Sequence, residues 1–228
     1  MLCADTMRYS KTIIAFFFLA SCRNRESIKI ENQLPDNSKI VTIKLLDSLG
    51  NITCLIPNRY DTSFYWTNWG DCGKPCTKEE YRFQLKSFPI AKKSGWFWKG
   101  KPKDSIDQFT IVHSGYFPFH ETNDTTAKII SMLAKHREQY LLVEELEPKI
   151  TTDFIEKIND LYFYIIVIDL FDSTKAQYSK KVFGGTLIRG NDVEFQYELL
   201  TNKTDSTCNN FIENSRKLLR TIKISNRI

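Results

Sequence analysis

Cys72-Gly73-Lys74-Pro75-Cys76 is the segment whose residue types and spacing most plainly allow chemistry. Glycine and proline between the two thiols favour a tight turn that can bring the sulfurs together. Three uses compete. A structural disulfide would pin the loop. A redox pair needs a thiolate of lowered pKa, and such pairs usually have two intervening residues, at a helix N-terminus, rather than three. A metal site would need further ligands at suitable spacing. The structural disulfide is the reading adopted. Cys54 shares a strand face with Ile52 and Ile56, and Cys208 lies on the apolar stripe of a C-terminal helix. Both therefore point at the core. They could bridge helix to sheet or stay unpaired as small buried hydrophobes.

His113 and His120 flank Tyr116-Phe117-Pro118-Phe119, and Glu121 adjoins. A histidine pair with a carboxylate can bind metal or move protons, but no HExxH-like spacing supports that use, and they are read as surface or loop histidines. His136 falls on a helix face, where a satisfied, partly buried imidazole is expected. Asp169 and Asp172 close a buried strand and are read as turn or capping residues. There is no Gly-x-Ser-x-Gly elbow, no Walker-type loop and no dinucleotide fingerprint. Gly184-Gly185 sits inside a strand pattern and marks a bulge or close packing rather than a phosphate cradle. No catalytic residue, cofactor or metal is expected.

Aromatic residues supply the other candidate. Trp96-Phe97-Trp98 is surrounded by lysines, Lys99 and Lys101 among them, and Tyr60, Phe64, Tyr65, Trp66 and Trp69 precede the CxxxC loop. Aromatic platforms ringed by cations can bind glycans, anionic polymers or a lipid surface. The alternative is a hairpin whose aromatics pack on a sheet while its lysines are solvated. If any part of the chain is a binding surface, Trp96, Phe97, Trp98, Lys99 and Lys101 are where it is expected.

The elements that must position these residues follow from periodicity. Ile40–Leu46 and Ile52–Ile56 read as a hairpin about Asp47–Asn51. Tyr81, Phe83 and Leu85 alternate with Arg82, Gln84 and Lys86, a half-buried strand, and Phe109–Val112 is another. The period then changes to that of a helix capped by Asp124 or Thr125, with Ile129, Met132, Leu133, His136 and Tyr140 on one face. Pro148 breaks that pattern, and a short helix is expected around Asp153–Ile158. Leu161–Phe171 is nearly all apolar and too short for a membrane span, so it reads as a central strand buried on both faces. Strands near Lys181–Ile188 and Val193–Leu200 join through Arg189-Gly190-Asn191-Asp192, and the second alternates apolar and polar residues, leaving one wet face. A final helix, capped by Asp205 or Ser206, carries Cys208, Phe211, Ile212, Ser215, Leu218, Leu219 and Ile222. This order argues α+β, a mostly antiparallel sheet covered by a central helix and a C-terminal helix. It is similar to the Mog1/PsbP-like α/β sandwich, in which a terminal helix also packs on the sheet.

At 228 residues the chain suffices for one full domain or two small ones, and its net charge of +5 implies only weak attraction to anionic surfaces. No basic run is dense enough for a nucleic-acid footprint, so no nucleic-acid partner is expected.

The N-terminus carries the most specific motif. Arg8 and Lys11 precede the apolar run Thr12–Leu19, which leads into Ala20-Ser21-Cys22, the layout of a secretory signal. Leu19-Ala20-Ser21-Cys22 resembles the lipobox of bacterial lipoproteins, with an aliphatic residue three before the cysteine and small residues just ahead of it. The resemblance covers this segment alone. It implies a diacylglyceryl group on the Cys22 thiol, cleavage before Cys22 and, in many diderms, acylation of the freed amine. Two or more chains anchor stably where one does not. Met1–Thr6 fits a leader poorly, and Met7 is the expected start. The expected layout is a signal peptide at 1–21, lipidated Cys22 with a polar tether at 22–38, and a single α+β domain at 39–228. The residues after the cysteine, Arg23-Asn24-Arg25-Glu26, lack an acidic run, which favours the periplasmic face of the outer membrane. The expected function is a non-catalytic binding or accessory protein of the cell envelope, with the membrane and an envelope glycan, anionic lipid or envelope protein as partners. The alternative is an envelope thiol-disulfide oxidoreductase using Cys72 and Cys76.

Overall fold

β-Branched and aromatic residues in alternation build most of the structure, a computed structural model that describes residues 37–46, 49–73, 76–88, 105–114, 125–141 and 150–225. The strands are β1 (Ser38–Lys44), β2 (Asn51–Pro57), β3 (Thr62–Asn68), β4 (Lys78–Gln84), β5 (Ile106–Ser114), β6 (Ile150–Ile158), β7 (Leu161–Asp172), β8 (Gln177–Ile188), β9 (Asn191–Thr201) and β10 (Lys223–Ser225). The helices are α1 (Thr125–Leu141), α2 (Ser206–Asn209) and α3 (Phe211–Leu219). The class is α+β, and every strand pairing is antiparallel.

The strands form two sheets, one of order β1-β2-β10 and one of order β3-β4-β5-β9-β8-β7-β6. A single core unites them. Ile52, Cys54 and Ile56 of β2 pack with Phe211, Leu218 and Leu219 of α3 and with Phe109, Phe163, Val182 and Tyr197 on one face of the larger sheet. On the opposite face, Ile129 of α1 joins Tyr164, Ile166, Ile168, Phe183 and Leu187 in a second apolar cluster. β7 is buried on both faces from Phe163 to Ile168, because α3 and the small sheet cover one side and α1 the other.

The two adjacent glycines of β8 serve these two layers. A Cβ at Gly184 would press into the Leu219 side chain on the α3 side, and one at Gly185 would overlap the Tyr164 ring on the α1 side. Close packing, rather than a bulge, is therefore their use. β8 and β9 are joined by Arg189-Gly190, both with positive φ (49° and 75°), the mirror-image turn whose twist suits a two-residue hairpin.

Four sequence expectations need correction. Asp153–Ile158 is not helical but the second half of β6, because Asn159 and Asp160 adopt positive φ (45° and 70°) and fold β6 back onto β7 as a hairpin. β7 is second from the sheet edge, and β9 holds the centre. The C-terminal helix is broken at Asn210 into α2 and α3, with the Asp205 side chain accepting from the Cys208 N–H at 3.0 Å. The chain then continues into β10, three residues paired with β2 and too short to carry a periodic signal. Ahead of β1, the Asn37 carbonyl accepts from the Asn58 N–H at 2.9 Å.

Candidate functional site

The hairpin β3–β4 ends in the loop that carries Cys72 and Cys76. The two cysteines stand at disulfide distance, Cα to Cα 5.6 Å, and both are exposed. The loop is tight for local reasons. Gly73 has φ 81°, the Cys76 N–H donates to its carbonyl at 3.0 Å, and its own N–H donates to the Gly70 carbonyl at 3.1 Å. A side chain at Gly70 would run into Cys76. Past Cys76 and Thr77 the chain enters β4 at Lys78. Cys54 and Cys208 are both buried free thiols, so the helix-to-sheet bridge is not formed. Burial pushes the Cys54 thiol up to about 12 and raises that of Cys208 as well.

The aromatic residues before the loop divide between core and surface. Tyr60 is fully buried, and its hydroxyl donates to Asp107 at 2.7 Å beside the two bonds from Arg59 (2.7 and 3.0 Å). Trp66 lies under the Arg82 guanidinium, 4.7 Å from the ring centre. Tyr65 is half exposed, packs tilted against Tyr81 with ring centres 4.8 Å apart and donates to Glu79 at 2.7 Å. Trp69, at the tip, is 84% exposed. Cys22, Trp96, Phe97, Trp98, Lys99, Lys101, His120 and Glu121 lie outside the described residues.

His113 is buried in β5, its Nδ1 at 2.9 Å from the Ser114 carbonyl and its ring stacked on Tyr81. It is a core residue rather than the surface or loop histidine expected. Asp172 accepts from the Thr174 N–H and hydroxyl, and Asp169 pairs with Lys180 at 2.6 Å, so both act within a turn and a strand pair.

A second constellation, on the α1 face of the larger sheet, was not singled out in the sequence. Asp192 and Glu194 are two apart on β9 and so project from the same face. His136 reaches them from α1, and Tyr164 from β7. The Tyr164 hydroxyl lies 3.1 Å from His136 Nε2 and donates to Asp192 at 3.2 Å. His136 Nε2 is 3.7 Å from Asp192 Oδ2. The imidazole is held by stacking on Tyr164, centroids 5.1 Å apart, and by Phe183 at the same distance. Tyr164, Gly185 and Glu194 form one row across β7, β8 and β9. Burial and the neighbouring Asp192 charge raise the Glu194 carboxyl, against the pull of Lys78, of His136 and of the hydrogen bond from Gln196. The signal in the sequence was the polar alternation of β9 together with a histidine on the apolar face of α1. Nothing in it showed that those two faces meet.

A cavity of about 350 Å³ opens between β2, β9 and the α2–α3 segment, with Arg59, Tyr60, Tyr197, Asn210 and Ser215 in its lining. The Tyr197 hydroxyl there is buried with no hydrogen-bond partner among the described residues. Among the described residues no helix is long and apolar enough to cross a membrane. Compared with known proteins, the chain matches no family model and no curated protein.

Proposed function

We propose that this is a lipid-anchored cell-envelope protein, held through Cys22, that works as a non-catalytic binding or accessory protein and presents the tip of β3–β4 to an envelope glycan. The observation that carries the reading is Trp69, 84% exposed at the end of a hairpin clipped by Cys72 and Cys76. Tryptophan is highly buried on average, and tryptophan and tyrosine are enriched in binding hot spots. Fixing the loop in advance reduces the ordering cost of binding. The lysine-rich segment around Trp96, Phe97 and Trp98 would add a second aromatic contact with cationic surroundings.

The test is retention of the lipidated chain on purified envelope polysaccharide. Trp69→Ala should weaken retention about tenfold, the scale of a hot-spot truncation, while near-UV circular dichroism stays native. The double change Trp96→Ala, Trp98→Ala should weaken it further. Unchanged retention in both variants defeats the binding role. Cys22→Ala should abolish incorporation of labelled palmitate and release the chain from membranes; an unaltered membrane fraction defeats the anchor.

The exposure of both Cys72 and Cys76 favours one other reading, a thiol-disulfide oxidoreductase. That role needs a bond that cycles. Alkylation before and after mild reductant should then trap both thiols, and resistance to reduction removes the role.

A further inference from the structure

We propose that His136, Asp192 and Glu194 form a site for one divalent transition-metal ion, with zinc the preferred ion. One donor atom from each residue lies within 4.8 Å of the other two. Zinc bound at roughly 2.0–2.2 Å from each donor fits this triangle after the side chains close by about 1 Å. One imidazole and two carboxylates suit zinc better than calcium, which takes six to eight oxygens.

A second observation points the same way. Two carboxylates converge on one imidazole in a partly buried site, yet among the described residues no lysine or arginine forms an ion pair with Asp192 or Glu194. Lys78 acts on Glu194 from a distance, and the Lys128 ammonium is turned to the Gly190 carbonyl at 3.3 Å. Like charges on one face of a strand repel, and a divalent cation removes that repulsion. The donors also come from elements that are already fixed. Ile129 seats α1 on the sheet, and Arg137 of the same helix pairs with Asp153 on β6. Tyr164, donating to Asp192, is a supporting residue that orients a carboxylate ligand. Three protein ligands leave a fourth position for water or for a donor from a partner.

The experiment uses the full chain, stripped with chelator, dialysed and titrated with zinc chloride in a calorimeter. The expected result is uptake of one ion per chain. His136→Ala and Glu194→Gln should each weaken uptake about tenfold or more, with far-UV circular dichroism confirming that both variants fold. Imidazole resonances of the unmodified chain decide independently of any variant. Zinc should shift the ring signals of His136 and leave those of His113 and His120 in place. The proposal is overturned by no uptake, by uptake that His136→Ala leaves unchanged, or by shifts confined to the other two histidines.

Discussion

Tyr164 can lay its hydroxyl between His136 and Asp192 only because position 185 carries no side chain. Gly185→Ala should therefore lower stability by about 1–3 kcal/mol, the usual cost of overpacking a filled site, read as a fall in the thermal midpoint. Tyr164→Leu in the same chain should recover part of that loss, since it removes the ring the methyl group meets. A full loss that Tyr164→Leu leaves untouched would show that the ring is not the obstacle. At this scale the sequence was partly legible. Close packing at Gly184-Gly185, one of the two uses expected there, and a turn role for Asp172 followed from residue type and position, whereas Asp169 is a strand residue paired with Lys180 rather than a turn or capping residue. The surroundings of His113 and the meeting of His136 with Asp192 and Glu194 did not, because periodicity tells which face a residue occupies and not which neighbour covers that face.

Strands were the most readable elements, since β7, β8 and β9 are long and their residue types agree with their pattern. β6 was misread because Phe154 and Ile158 have helical spacing, while the Asn159-Asp160 turn that makes it a strand is only two residues long. The strands also carry a titratable row. Glu198 of β9 pairs with Lys181 of β8 at 2.5 Å and accepts from Gln108 of β5 at 2.6 Å. Burial alone would raise the Glu198 carboxyl, but the Lys181 charge and these hydrogen bonds outweigh it and hold it below its ordinary 4.5. A depressed carboxylate contributes stability that is complete above the unfolded-state value and is lost as pH falls through the folded one. The loss from this row should begin near 4.5 and grow below it. Glu198→Gln should flatten the dependence of unfolding free energy on pH in that window, as measured by urea titration, and an unchanged slope would remove the row from the acid response.

On the scale of the molecule, element order was enough for an α+β class with mainly antiparallel strands. It could not show that β1 and β2 leave the larger sheet to pair with β10, because that choice depends on contacts made after the last helix. One core nevertheless spans both sheets, so the folded part should unfold in a single transition. Cys54 and Cys208 report on it from β2 and α2. Both thiols are buried, and burial raises both pKa values, so they should resist iodoacetamide in the native protein. They should become reactive together, at the denaturant concentration where the sheet signal in circular dichroism disappears. Earlier reaction of either one would mean that the two sheets come apart separately. The back-to-back glycines of β8 set a further constraint, this time on descent. Each is tied to one bulky partner, Gly184 to Leu219 and Gly185 to Tyr164, on opposite sides of the same strand. A lineage that acquires a side chain at 185 gains by shrinking Tyr164, and one that acquires it at 184 by moving or shrinking Leu219, so these positions should covary as two independent pairs.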